Sequence, residues 1–237
     1  MEWKNKRCLV VGGSSGMGLE IAKAIRERSG QVFIAARNTE KLQKAKHALN
    51  GGEAYSFDMT KEEQVRRLFS EIKSLDHLII SAAGHFFGSF QDSDVSAARA
   101  FFDNKFWGQY MTAKYGSKVI TPGGSIIFFS GVANIKPLNG FSCGAAINGA
   151  IEGLTRSLAM ELAPIRVNAI SPGVVDTPAW SGFEPAEKKK HFEAVAKKLP
   201  VHKVGKPEDI APAAIYLMES TYTTGLTVYV DGGERII

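Results

Sequence analysis

The sequence predicts a single-domain α/β fold: a doubly wound parallel sheet of about seven strands with helices on both faces. Three observations carry that expectation. Short apolar runs alternate with longer helical stretches along the chain. Several of those runs, Cys8-Leu9-Val10-Val11 and Ile126-Ile127-Phe128-Phe129 among them, are apolar at every position, as in strands covered on both faces. No Pro/Ser-rich linker, internal repeat or low-complexity tract divides the 237 residues.

Taken in order, strands are expected at Arg7–Gly12, Gln31–Ala36, Ala54–Phe57, His77–Ser81, Gly124–Ser130, Arg166–Ile170 and Thr227–Val230. Helical patterning falls near 16–29, 38–49, 60–74, 93–118, 142–163 and 207–219. Such alternation implies right-handed strand–helix–strand units. The segment 178–206 is irregular, with Pro178, Pro185 and Pro200 around a charged helical piece. An insertion of this kind at a sheet's carboxyl edge is expected to act as a substrate-side lid.

Composition excludes several classes. Hydrophobic residues make up 44% and charged residues 22%, which suits a globular chain and not a disordered one. Basic residues exceed acidic ones by 29 to 24, giving +5, but they are scattered. The one tight run, Lys188–Lys190, reads as a solvated helix face, so no nucleic-acid partner is expected. No segment approaches the roughly 18 apolar residues a membrane span needs, and the first apolar run is too short for a secretory signal. The two cysteines, Cys8 and Cys143, form no metal-ligand pattern, so no metal is expected and the location expected is the reducing cytoplasm.

Glycine is the compositional outlier, at 24 residues. The first strand runs into Val11-Gly12-Gly13-Ser14-Ser15-Gly16-Met17-Gly18 and then a helix. Glycines there permit a tight turn and let backbone N–H groups approach a pyrophosphate, while the helix N-terminus favours the anion. The spacing Gly12-x-x-x-Gly16-x-Gly18 resembles that of the short-chain dehydrogenase/reductase family, with Val11 where the family has Thr. Further landmarks follow in order over nearly the whole chain. They are Asp58-Met59 after the third strand, Ser81-Ala82-Ala83-Gly84 after the fourth, and Asn104 in a helix. The stretch Asn168 to Thr177 and the ending Val230-Asp231-Gly232-Gly233 complete the set.

The resemblance implies a Rossmann-type sheet and a nicotinamide dinucleotide. Its cofactor contacts fall on Gly12, Ser14, Ser15, Gly16, Met17, Gly18, Arg37, Asn38, Asp58, Met59, Ala82, Ala83, Gly84, Asn148, Pro172, Gly173, Val175 and Thr177. At the end of the second strand an acid would hold the ribose hydroxyls of NAD. Here Ala36-Arg37-Asn38 offers a guanidinium for a 2′-phosphate, so NADP(H) is expected over NAD(H). The basic residue that many NADP-using relatives carry just before the second motif glycine is Ser15 in this chain.

The family's acid/base set is a Tyr, a Lys four residues on, and a Ser thirteen residues before the Tyr. The stretch Gly144 to Thr155, ending Glu152-Gly153-Leu154-Thr155, resembles the Tyr-x-x-x-Lys helix. That register puts Gly144 at the Tyr position, Asn148 at the Lys position and Gly131 at the Ser position, and keeps Asn104, the anchor of a water relay. Substitutes considered from sequence are Ser130, if the strand ends there, and His85 beside the expected nicotinamide site. Losing two long side chains is expected to leave a void that water or another polar molecule fills. The resemblance then leaves three readings: an atypical NADP(H)-dependent oxidoreductase of weak activity on a carbonyl or alcohol, a non-catalytic NADP(H) sensor or regulatory protein, or a structural partner in an oligomer. A homodimer or homotetramer is expected, with Phe101, Phe102, Phe106, Trp107 and Tyr110 near its face.

Overall fold

A computed structural model describes every residue except Met1, Ala83 and His85, so the His85 and Ala83 expectations lie outside the described residues. Seven strands form one parallel sheet in the order β3-β2-β1-β4-β5-β6-β7. They are β1 (Arg7–Val11), β2 (Gln31–Ala36), β3 (Glu53–Ser56), β4 (Leu75–Ile80), β5 (Ile120–Phe129), β6 (Arg166–Pro172) and β7 (Thr227–Val230). The helices between them are α1 (Gly16–Glu27), α2 (Thr39–Ala48), α3 (Glu62–Glu71), α4 (Val95–Phe102), α5 (Gly108–Gly116), α6 (Ser142–Glu161), α7 (Pro185–Lys198) and α8 (Pro207–Glu219). The expected doubly wound α/β architecture is the one observed.

The apolar strands make two cores because alternate side chains leave opposite faces of the sheet. In β1, Cys8 and Val10 pack on the side of α1, α2 and α8, while Leu9 and Val11 face α3, α5 and α6. β5 divides likewise, Ile127 and Phe129 against Ile126 and Phe128. A strand buried on both faces has no polar positions to show, which is why these runs read as continuous.

The chain winds outward from β1 through β2 to β3, then crosses back to set β4 on the other side of β1. The strand order therefore reverses between β1 and β4, and a crevice opens beyond their carboxyl ends.

The stretch 93–118, expected as one helix, is three pieces. Between α4 and α5 lies a π-helical turn, Asp103–Trp107, that carries Asn104. Such wide turns inside helices concentrate at functional sites. The expected lid segment holds a short 3-10 turn, Pro178–Trp180, and α7. No helix among the described residues is long and apolar enough to cross a membrane.

Candidate functional site

A cavity of about 690 Å³ fills the crevice at the sheet's carboxyl edge. Its walls come from the ends of β1, β2 and β4: Val11 and Gly12, Ala36 and Arg37, and Ser81 and Ala82. Gly12 has φ +86°, and a β-carbon there would stand 2.6 Å from the Ala82 backbone nitrogen. Gly18 lies so close to the Gly12 carbonyl that a side chain would overlap it. The turn closes only with glycine at both positions.

That tight turn delivers the N-terminus of α1 to the cavity. Ser15, its N-cap, makes no side-chain cap bond, and the first turn contains no acid. The leading N–H groups are left to a ligand, with the positive end of the helix dipole behind them. A pyrophosphate fits this cradle on chemistry and on space.

Arg37 stands at the far end of the same cavity and reaches into an adjoining hollow lined by Thr60, Lys61 and Trp107. Lys41, one helical turn later on α2, lines the main cavity beside it. Asn38 lies on the wall too, but its side chain caps α2 by accepting the Lys41 N–H at 2.8 Å. The Asp58 carboxylate is turned to its own loop, with Oδ1 accepting from the Thr60 N–H and Oγ1 at 2.9 Å each. Met59 rather than Asp58 reaches the wall.

Asn104 holds the β4 loop, its Oδ1 accepting the Gly84 N–H at 2.7 Å, and it too lines the cavity. From the other expected loop, Thr177 reaches the wall together with Pro178 and Ala179. Gly173 packs elsewhere, because a β-carbon there would meet the Glu234 carboxylate at 2.6 Å. Val175 is buried in the core behind α1 and α8, and its carbonyl accepts the Trp180 indole N–H at 3.0 Å. Pro172 closes β6 and is absent from the cavity wall.

Gly131, Gly144 and Asn148, the positions that the resemblance assigns to the acid/base set, are absent from the cavity wall. Next to the Gly144 backbone, the expected void is taken by another side chain. The Phe141 ring, just before α6, occupies it: a β-carbon on Gly144 would fall 2.7 Å from Phe141 Cδ1 and closer still to the rest of that edge. The ring is held by stacking on Phe87 with centroids 4.6 Å apart, and by a tilted contact with Phe101. An aromatic cluster of this kind fills apolar space beside Gly144.

Gly131 faces the Asn148 side chain, and a β-carbon there would approach Asn148 Nδ2 to 2.9 Å. Asn148 is buried, and its Oδ1 accepts a 2.6 Å hydrogen bond from the amine of Lys105, which also donates to the Ser130 carbonyl at 3.0 Å. Burial pushes the Lys105 amine down to about 8. Because an ammonium only donates, it fixes the flip of the Asn148 amide: oxygen toward Lys105, N–H2 toward Gly131.

Ser130 does not turn into the cavity. Its hydroxyl donates to Glu152 Oε1 at 3.0 Å, and Tyr229 donates to Glu152 Oε2 at 3.2 Å. Sequence distance hid that tyrosine, which β7 brings next to α6.

A family model described as Enoyl-(Acyl carrier protein) reductase matches residues 11–234. A short-chain dehydrogenase/reductase from Stachybotrys chlorohalonatus is 32% identical, over 97% of this chain and 97% of its own. The human 3-oxoacyl-[acyl-carrier-protein] reductase is 30% identical, over 98% of this chain and 99% of its own. A solved structure described as a small-chain dehydrogenase in complex with NADPH is 36% identical with a TM-score of 0.90, covering 99% of this chain and 100% of that one.

The chain belongs to the short-chain dehydrogenase/reductase family. That places it among oxidoreductases of that type. Residues with a part in the site that were not found from sequence include Lys41, Phe141 and Lys105. Lys41 had a signal, since it is a second cation in the first turn of the helix that follows Arg37. Lys105 and Phe141 had none, because their partners lie far along the chain or turn on a ring's orientation.

Proposed function

We propose that this protein binds NADP(H) in the crevice and works as an oxidoreductase on a carbonyl or alcohol, with weak turnover of ordinary carbonyl substrates. The observation that carries the reading is the uncapped α1 N-terminus facing the cavity, with Arg37 and Lys41 on its wall and no acid at the end of β2. The α1 N–H groups hold the pyrophosphate. The Arg37 guanidinium and Lys41 amine face the 2′-phosphate, which NAD(H) lacks. Asn104 and Gly84 fix the loop on the nicotinamide side, and Thr177 stands on the crevice wall just ahead of the lid segment 178–206. The dinucleotide, when bound, supplies hydride chemistry.

What is missing is a positioned acid. The tyrosine position is Gly144, its space is taken by Phe141, and the serine position is Gly131. A positioned acid contributes about 10²- to 10⁴-fold in rate, and weak turnover of simple ketones follows from its loss. The same filling supports a second reading, a non-catalytic NADP(H) sensor or regulatory protein, likewise located in the cytoplasm and assembled as a homodimer or homotetramer.

Fluorescence titration with NADPH and NADH tests the cofactor reading. NADPH should bind at least about tenfold more tightly, since a charge-assisted phosphate contact of this type contributes on the order of 1.5–3 kcal/mol. Equal affinities would overturn it. A panel of ketones assayed with NADPH separates the two readings. Measurable turnover of any member supports the enzyme, and rates ordinary for a tyrosine-bearing reductase would overturn the weak-turnover reading.

A further inference from the structure

Lys105 is the one lysine among the described residues that is buried, and nothing in the cofactor cradle accounts for it. Taking an amine out of water is unfavourable unless its donors are used. Here two of them are used, on Asn148 Oδ1 at 2.6 Å and on the Ser130 carbonyl at 3.0 Å. The π-helical turn Asp103–Trp107 makes this placement workable. It carries Asn104 and Lys105 in succession, and sends the first to Gly84 and the second to Asn148.

We propose that Lys105 is a positioning residue for the dinucleotide: its amine holds the Asn148 side chain so that the Asn148 N–H2 is presented beside Gly131 to a sugar hydroxyl of bound NADP(H). The inference rests on the NADP(H) reading and adds to it a residue that acts through another. In its protonated form the amine makes a charge-assisted bond to Asn148 and adds a positive field toward an anionic ligand. In its neutral form it does neither as strongly.

The affinity is therefore tied to pH. Lys105 titrates near pH 8. Among the described residues, the groups facing its amine are the neutral Asn148 on α6 and the Ser130 carbonyl after β5. Beyond them the Ser130 hydroxyl donates to Glu152 on α6, which in turn accepts from Tyr229 on β7. Asp103, on the same turn, is exposed. Tyr229 is pushed up from its ordinary value, first by burial and then by the Glu152 charge, so it stays protonated through the range of interest.

The test is the NADPH dissociation constant measured by fluorescence from pH 6.5 to 9.5 at constant ionic strength, for the wild type and the variants Lys105→Met, Lys105→Arg and Asn148→Leu. Circular dichroism melts establish which variants fold. In the wild type, affinity should fall about three- to tenfold as pH rises through the amine's midpoint. Lys105→Met and Asn148→Leu should be weak and flat with pH, and Lys105→Arg tight and flat. By linkage, NADPH should also raise the Lys105 midpoint read from its side-chain NMR signals. A flat wild-type profile, or a step that survives in either neutral variant, would overturn the role of Lys105 while leaving the cofactor reading intact. No NADPH binding at any pH would overturn the cofactor reading, and this inference with it.

Discussion

Glycine means opposite things at the two ends of the crevice. At the phosphate end, Gly12 and Gly18 leave out a side chain so that backbone can approach backbone, and the α1 N-terminus stays open to an anion. At the other end, Gly131 and Gly144 leave out a side chain because something else stands there: the Asn148 amide and the Phe141 ring. The first pair makes room for a ligand. The second pair makes room for the protein. An absent side chain read from sequence is thus not yet a cavity, and only the neighbours decide which it is.

The sharpest break of this comparison is at Gly12. Gly12→Ala, which must hold φ +86° with its β-carbon 2.6 Å from the Ala82 nitrogen, should lower NADPH affinity about hundredfold, roughly 3 kcal/mol. Titration of the folded variant checks this. Retained affinity would show that the turn tolerates a side chain.

Lys105 gives an effect of similar size on stability. Its amine titrates near 8 in the fold against 10.5 as the ordinary value. Between those values the unfolded chain binds more protons, so the penalty of a buried ammonium is full below pH 8 and is relieved as pH rises toward 10.5. The stability of wild type relative to Lys105→Met should therefore rise by up to about 3 kcal/mol from pH 7 to pH 10.5. Urea melts across that range measure the difference, and a flat one would place the amine in contact with water.

Gly144→Tyr comes next. The new ring must displace Phe141 from its stack on Phe87, and overpacking of this type costs about 2–3 kcal/mol. Adding Phe141→Ala should return at least half of that in thermal melts. No recovery would mean that the clamp is not what fills the space.

At the phosphate end the expected effects are smaller but selective. Arg37→Asp should weaken NADPH by about tenfold to hundredfold and tighten NADH. Lys41→Ala, an exposed single cation, should weaken NADPH by about two- to fivefold and leave NADH alone. Paired titrations with the two dinucleotides check both.

Much of the fold was legible because the signals are local. The runs Cys8–Val11 and Ile126–Phe129 show no polar position since each faces two cores, and Gln31–Ala36 and Thr227–Val230 end where the sequence places them. The cradle at Gly12, Gly16 and Gly18 was legible for the same reason, being one turn of chain. The π-helical turn was not, because its residues have ordinary helical character and the extra width shows only in the hydrogen bonds. The end around Gly131 and Gly144 was half legible. Register assigned 131, 144 and 148 to the positions of the family's acid/base set, but not the side chains that stand against them. Lys105 meets Asn148 across 43 residues, and the Ser130–Glu152–Tyr229 chain spans three elements.

The three occupancies at that end are mutually reinforcing, and this shapes which neighbouring sequences are viable. A serine at 131 meets the Asn148 amide, a tyrosine at 144 meets Phe141, and a lysine at 148 brings a second cation against Lys105. Each single step toward the family's acid/base set meets one of these neighbours first, so Phe141 and Lys105 belong to any combined change. Substitutions at 131, 144 and 148 are therefore coupled through Phe141 and Lys105, and their effects should not add.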